Sequence, residues 1–257
     1  ATSIMVVGFV NSGMMKVRQA IGIVLGAILG TSVTGWIICL SGVEGGGASW
    51  VTLFSTATLT GVIAVIGIIL RMFCKNRTNK HVGDILLGFA VLMTGMTAMS
   101  DAVSPLRDSP VFIEYLTKFS NPFFGILLGM LITCILQSAS ATVGILQALS
   151  MTGAIRFEVA LPIIMGIAIG AAVPVLLSAL GSGVNGKRTA FVYLLIDVIG
   201  VVFWGIVFYT VHAIVGFEFM SNIMDMASIA LMNTLFRLAT VVLLTPFIGL
   251  LEKIVTL

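Results

Sequence analysis

The chemistry in this sequence is concentrated in one short stretch, TCILQSASATVG, at residues 133–144. Gln137, Ser138, Ser140 and Thr142 place one amide and three hydroxyls within six residues. The amide supplies two donors and an acceptor, and each hydroxyl both donates and accepts. The flanks are greasy: residues 121–136 are almost wholly apolar, and 143–149 largely so. Polar residues at a helix break in lipid are tolerated where they line a cavity, and broken ends offer free N–H and C=O groups to ions. Small Ser and Ala also allow close helix packing, but packing needs no Gln.

A second polar group, Thr31, Ser32 and Thr34, follows Gly26 and Gly30. Each Gly weakens a helix by about 1 kcal/mol relative to Ala. Local unwinding there would free carbonyls for a cation; the alternative is a Gly-x-x-x-Gly packing face. Gly166 and Gly170 repeat the spacing, with Pro174 as an added breaker, but few hydroxyls accompany them, so that copy reads as structural. Asp197 and Arg237 lie well inside apolar segments. A charge at mid-membrane costs about 2.5–3.5 kcal/mol on insertion scales, so pairing between the two is expected. A direct contact of Arg237 with an anion is the alternative.

No catalytic residues are assigned. The acids are scattered at segment ends, no Ser/His/Asp arrangement or Gly-rich nucleotide loop stands out, and Cys39, Cys74 and Cys134 lack metal-ligand spacing. The chain therefore reads as no enzyme, with no cofactor.

The elements that must position these residues are membrane helices. Of 257 residues, 59% are hydrophobic and only 9% charged, where a soluble domain carries about 25% charged residues. The net charge of +3 leaves no footprint for nucleic acid. A span needs roughly 20 apolar residues. Residues 19–40, 51–73, 82–100, 157–180, 190–215 and 228–251 qualify. Residues 121–152 are too long for one span and are interrupted by Gln137–Ser140, which predicts a re-entrant hairpin with a polar tip. Residues 1–12 read as the outgoing half of a similar hairpin. Two short full crossings are the alternative for 121–152. Following the chain puts Lys16, Arg18, Arg71, Lys75, Arg77, Lys80, Lys187, Arg188 and Lys253 on one side, with most acids opposite. The positive-inside rule makes that basic side cytoplasmic.

Displacing the sequence by 140 positions aligns Ala1-Thr2 with Ala141-Thr142, Gly13 with Gly153, and Lys16 with Arg156. Gly26 and Gly30 then meet Gly166 and Gly170. The predicted topology puts Lys16 and Arg156 on opposite faces, so the copies run in opposite senses, as in transporters that bind substrate at the repeat interface. The predicted fold class is an all-α integral membrane protein of two inverted repeats, each with a re-entrant helical hairpin and broken spanning helices. Residues 1–81 form the first repeat, incomplete at its N-terminus; 82–215 form the second; 216–257 hold a final span and the start of a linker.

Residues 1–36 and 136–174 resemble the sodium-dependent phosphate cotransporter family. Its hallmark is a Gln-Ser-Ser-Ser-Ala-Thr signature in each of two inverted repeats, followed by a Gly-Ala-Asn-Ile-Gly-Thr-Thr stretch. The resemblance implies Na+-coupled symport of inorganic phosphate by alternating access in the bacterial plasma membrane. By the same resemblance, Gln137, Ser138, Ser140, Thr142, Thr2 and Ser3 bind phosphate, and Thr31, Ser32, Thr34 and Ser140 bind Na+. It further implies that the first signature's Gln and Ser residues and an earlier helix precede Ala1, and that a regulatory domain can follow the C-terminus. Homo-oligomer formation stays open. The family tends to have Asn at the positions of Asp197 and Arg237. Ala139 replaces a signature Ser, Ile28 and Ala168 replace the Asn, and Ala171-Ala172 replace the Thr pair. These losses keep two alternatives in view: a transport-dead scaffold or sensor, and a symporter of another oxyanion.

Overall fold

The computed structural model describes residues 2–39, 56–74, 76–103, 121–151 and 153–256. Their regular structure is helical: α1 (Thr2–Asn11), α2 (Val17–Cys39), α3 (Thr56–Phe73), α4 (Arg77–Val103), α5 (Pro122–Leu136), α6 (Ala139–Ser150), α7 (Phe157–Gly170), α8 (Val173–Ser178), α9 (Val184–Val215), α10 (Met226–Leu244) and α11 (Ile248–Thr256). Four stretches among them are long and apolar enough to cross a membrane: Val17–Cys39, Phe157–Ser178, Val184–Val215 and Met226–Thr256. Ile135 and Ile214, each 80% exposed, lie on the outer surface. Such faces are stable against lipid, where helices satisfy their own backbone. The protein is an all-α, multi-pass membrane protein. The described parts of the expected spans 51–73 and 82–100 lie in α3 and α4.

Local chemistry sets the helix ends. Asn121 caps α5, its side chain accepting from the Phe123 N–H at 3.0 Å, with Pro122 in the first turn. Asp225 caps α10 by accepting from the Ser228 N–H at 2.8 Å. Gly13 (φ 78°) and Gly153 (φ 71°) sit just after α1 and α6 in the left-handed conformation that Gly adopts without penalty.

The two largest of the buried clusters among the described residues tie the helices together. One packs Val6, Val7 and Val10 of α1 against Ile21, Val24 and Ile28 of α2 and Ile196 of α9. The other joins Val143 and Leu146 of α6 to Ile163, Ile164 and Ile167 of α7 and Ile229 of α10. The tightest seam lies between α5 and α7. A Cβ on Gly129 would collide with the Ile163 carbonyl, and one on Gly166 with the Ile126 carbonyl. On Gly170 it would fall 2.6 Å from Thr133 Cβ. Small residues permit this approach, which is how membrane helices gain contact without a hydrophobic drive between them.

Gly166 and Gly170 are structural, as expected, but the first Gly-x-x-x-Gly pair departs from expectation. α2 runs unbroken through Gly26 and Gly30, and among the described residues neither has a neighbouring atom within 4 Å of a notional Cβ. That copy neither unwinds nor forms a close seam. Weakening by about 1 kcal/mol per Gly is small beside the several kcal/mol for each backbone group left unpaired in lipid. The interruption occurs instead in the second copy, at Ala171-Ala172 between α7 and α8. There Pro174 has no N–H to continue the helical ladder.

Candidate functional site

The break between α5 and α6 is built by two consecutive residues. Gln137 ends α5 at φ 54°, ψ 24°, with its N–H on the Thr133 carbonyl at 2.8 Å. Among the described residues it is the one non-glycine with positive φ. Left-handed geometry costs an L-residue about 1–2 kcal/mol, and such strain clusters at functional sites. Ser138 turns the chain back into extended geometry and caps α6, its Oγ accepting from the Ala141 N–H at 3.3 Å. Its Oγ also lies 3.4 Å from Ser140 Oγ. The N-terminus of α6 thus presents backbone donors and the positive end of the helix dipole beside two hydroxyls.

A cavity of about 490 Å³ opens at this break. Gln137, Ser138 and Ser140 line it from the break; Thr2 and Ser3 from the first turn of α1; Thr31 and Thr34 from α2. Tyr193 of α9 and Pro174 of α8 complete its polar and apolar walls. Among the described residues no charged side chain lines it. Thr31 Oγ1 donates to the Ile28 carbonyl at 2.7 Å, which leaves its lone pairs available. A neutral wall of hydroxyls, one amide and a helix N-terminus can donate to an oxyanion or accept a hard cation through oxygen. A second cavity, of about 440 Å³, shares Thr34, Ser138 and Ser140 with the first and is otherwise largely apolar, with walls from α2, α4, α5 and α6.

Other sequence candidates lie elsewhere. Thr142 is buried at the α5–α6 contact, where its hydroxyl donates to the Ser138 carbonyl at 3.0 Å and meets Thr133 Oγ1 at 3.2 Å. It holds the break together and does not line the cavity. Ser32 is buried, and its hydroxyl has no hydrogen-bond partner among the described residues. Asp197 and Arg237 are both buried and feel each other's charge. They form no ion pair, however: Arg237 Nε donates to Asn233 Oδ1 at 3.1 Å, one turn back along α10. Asp197 Oδ2 and Arg237 Nη1 have no partner among the described residues. Neither residue lines the cavity, although Tyr193, one helical turn before Asp197, does. Among the described residues no cluster of His, Cys, Asp and Glu could hold a metal.

Two contributors escaped sequence reasoning. Tyr193 lies in a uniformly apolar run, so its position on the cavity face carries no local signal. Gln147 is fully buried; its Nε2 reaches the Gly35 carbonyl at 3.1 Å, the Met226 carbonyl at 3.0 Å and Cys39 Sγ at 3.2 Å. It pins α6 to α2 and to the start of α10. A lone Gln in an apolar helix was the available signal.

The sequence matches the model of the Na+/Pi-cotransporter family over residues 1–101 and 109–249. It is similar to a Bacillus subtilis (strain 168) protein named "Uncharacterized protein YqeW", at 24% identity over 258 residues, covering 100% of this chain and 78% of the relative. It is also similar to proteins named "Putative inorganic phosphate export protein YjbB". Those of Salmonella typhimurium (24% identical) and Escherichia coli K12 (23%) align over 201 residues, 78% of this chain and 34% of the relative. The chain thus spans about a third of the YjbB relatives. No solved structure matches it.

Proposed function

We propose, from the premise that this chain belongs to the Na+/Pi-cotransporter family, that it moves inorganic phosphate across the plasma membrane by Na+-coupled alternating access. This is a transporter family, not an enzyme family. The observation that carries the reading is the 490 Å³ cavity, which gathers seven polar candidates from three separate segments. Phosphate presents acceptor oxygens. Gln137 donates two bonds, and Ser138, Ser140, Thr2 and Ser3 one each, alongside the α6 N-terminus. A neutral donor set releases its anion more readily than a fixed cation would. Na+ takes hydroxyl oxygens of Thr31, Thr34 and Ser140, since unbroken α2 frees no carbonyls.

Two features support an inverted repeat. Under the 140-residue displacement the starts of α2 and α7, Val17 and Phe157, coincide. So do the left-handed Gly13 and Gly153. In this reading α5 and α6 form a re-entrant hairpin whose tip is Gln137–Ser140, and the basic loops face the cytoplasm. Cys placed at Lys16 and at Arg156 then reacts with an impermeant thiol reagent from opposite faces.

The name of the YjbB relatives favours a second reading, net phosphate export through the same site. Proteoliposomes with reconstituted chain decide between them. Labelled phosphate is followed with an inward, an outward and no Na+ gradient. Symport requires uptake that follows the inward Na+ gradient. Flux that leaves the vesicle whatever the direction of the Na+ gradient supports export. No flux under any gradient defeats both and leaves a transport-dead scaffold.

A further inference from the structure

A third cavity, of about 470 Å³, opens where the end of α8, the start of α9 and the end of α11 meet. Val184, Lys187, Arg188 and Phe191 line it from α9, at the i, i+3, i+4, i+7 spacing of one helix face. Leu176 and Leu180 supply the facing apolar wall. Its volume falls within the range of about 300–1,000 Å³ common to small-molecule sites. The lining is greasy and partly open: Leu180 is 70% exposed, Val184 67% and Phe191 47%.

The two cations set it apart from ordinary lipid-facing surface. Arg188 is held in place, Nη2 donating to the Thr256 carbonyl at 2.7 Å and Nη1 reaching Asn185 Oδ1 at 3.4 Å. Neither Lys187 nor Arg188 forms an ion pair with a described residue. They stand within the first turns of α9, whose 32 residues exceed the roughly 20 needed to span. That length places them at the membrane surface. The structure therefore has an apolar slot whose lining includes two cations that pair with no described acid.

We propose that this groove holds one anionic phospholipid, an acyl chain along Leu176, Leu180 and Phe191 and the headgroup phosphate on Lys187 and Arg188. Charge complementarity selects the occupant. A zwitterionic lipid fills the slot but brings its own ammonium beside the phosphate and so no net negative charge for the two cations, and a free oxyanion leaves the apolar wall empty. Basic pockets between helices on the cytoplasmic side are established sites for acidic headgroups. Each cation contributes about fivefold in affinity near an anionic surface.

The test is native mass spectrometry of the purified full chain in detergent, titrated with phosphatidylglycerol or with phosphatidylcholine of the same acyl chains. The expected result is one retained phosphatidylglycerol, preferred about 25-fold. Lys187→Gln should reduce the preference about fivefold, and Lys187→Gln with Arg188→Gln should abolish it. The single variant leaves the Arg188–Thr256 contact intact, so it reads the charge even where the double variant folds poorly. Equal retention of the two lipids overturns the proposal, as does an unchanged preference in Lys187→Gln. Displacement of phosphatidylglycerol by excess inorganic phosphate also overturns it, since the groove would then be a free-anion site.

Discussion

Gly26 and Gly166 occupy matching places in the two Gly-x-x-x-Gly copies, yet alanine should move their stabilities in opposite directions. At Gly166 the added Cβ would collide with the Ile126 carbonyl and come within 2.9 Å of the Met130 N. Both are backbone atoms of α5, so no side chain can swing aside. Relief requires α5 and α7 to separate along the seam that also holds Gly129 and Gly170. Overpacking of this kind costs about 1–3 kcal/mol. At Gly26 no neighbour among the described residues lies within 4 Å of the added Cβ, and α2 is continuous, so alanine gains its helix propensity, about 1 kcal/mol. The two variants should differ by about 2–4 kcal/mol. At about 2–4 °C per kcal/mol for a chain of this size, that is a gap of about 4–16 °C in Tm. Thermal unfolding of both variants in one detergent, followed by tryptophan fluorescence, measures it. A Gly166→Ala protein as stable as the parent would refute the close-seam argument. Equal losses in both variants would show that α2 carries a constraint at Gly26 that its open surroundings do not reveal.

Gln137→Gly should stabilise the fold by about 1 kcal/mol through relief of left-handed strain. It should also weaken Na+-dependent phosphate binding about tenfold or more by calorimetry, through loss of the amide donors; unaltered binding would remove Gln137 from the site. Ser138→Ala should lower both stability, by about 1 kcal/mol through loss of the α6 cap, and phosphate affinity, whereas Thr142→Ala should affect stability chiefly. Gln147→Leu removes the Nε2 bonds to the Gly35 and Met226 carbonyls and should destabilise by about 1–3 kcal/mol, read as a fall in Tm. The hydrogen bonds from Ser228 hold the Asp225 carboxyl below the usual carboxylate range. Because its folded pKa is depressed, its contribution is present above the unfolded value and is lost as pH falls through the folded one. Melting curves across acidic pH should therefore differ between the parent and Asp225→Asn at neutral pH and converge in acid.

The polar interruption after residue 136 was legible because water is absent from lipid: Gln and Ser in an apolar run need a break, a cap or a cavity, and α5 ends where that run ends. The glycine pairs were ambiguous because spacing alone does not say what stands opposite. Gly166 faces the backbone of α5, and Gly26 faces open space. Thr142 and Ser138 are equivalent as sequence, but one helical turn separates a hydroxyl aimed at the cavity from one aimed at Thr133. The Asp197–Arg237 pairing was the simplest solution for two charges in apolar helices. Asn233, placed four residues before Arg237, intercepts the guanidinium first. Tyr193 reaches the site only through the packing of α9 across α1 and α2, which no local pattern encodes.

The backbone-on-backbone contact of α5 with α7 has a mechanical consequence. Where carbonyls rather than side chains fill the gap, one helix cannot slide along the other, because the next residue in either direction would present a Cβ to the same space. α5 and α7 therefore move as a single strut. Gln137 hangs from the end of that strut, while Ser138 and Ser140 belong to α6, which Gln147 fastens to α2 and the start of α10. The direct covalent link from α5 to α6 is the peptide unit joining Gln137 to Ser138, so a displacement of the strut against α6 bends the chain at the cavity wall itself.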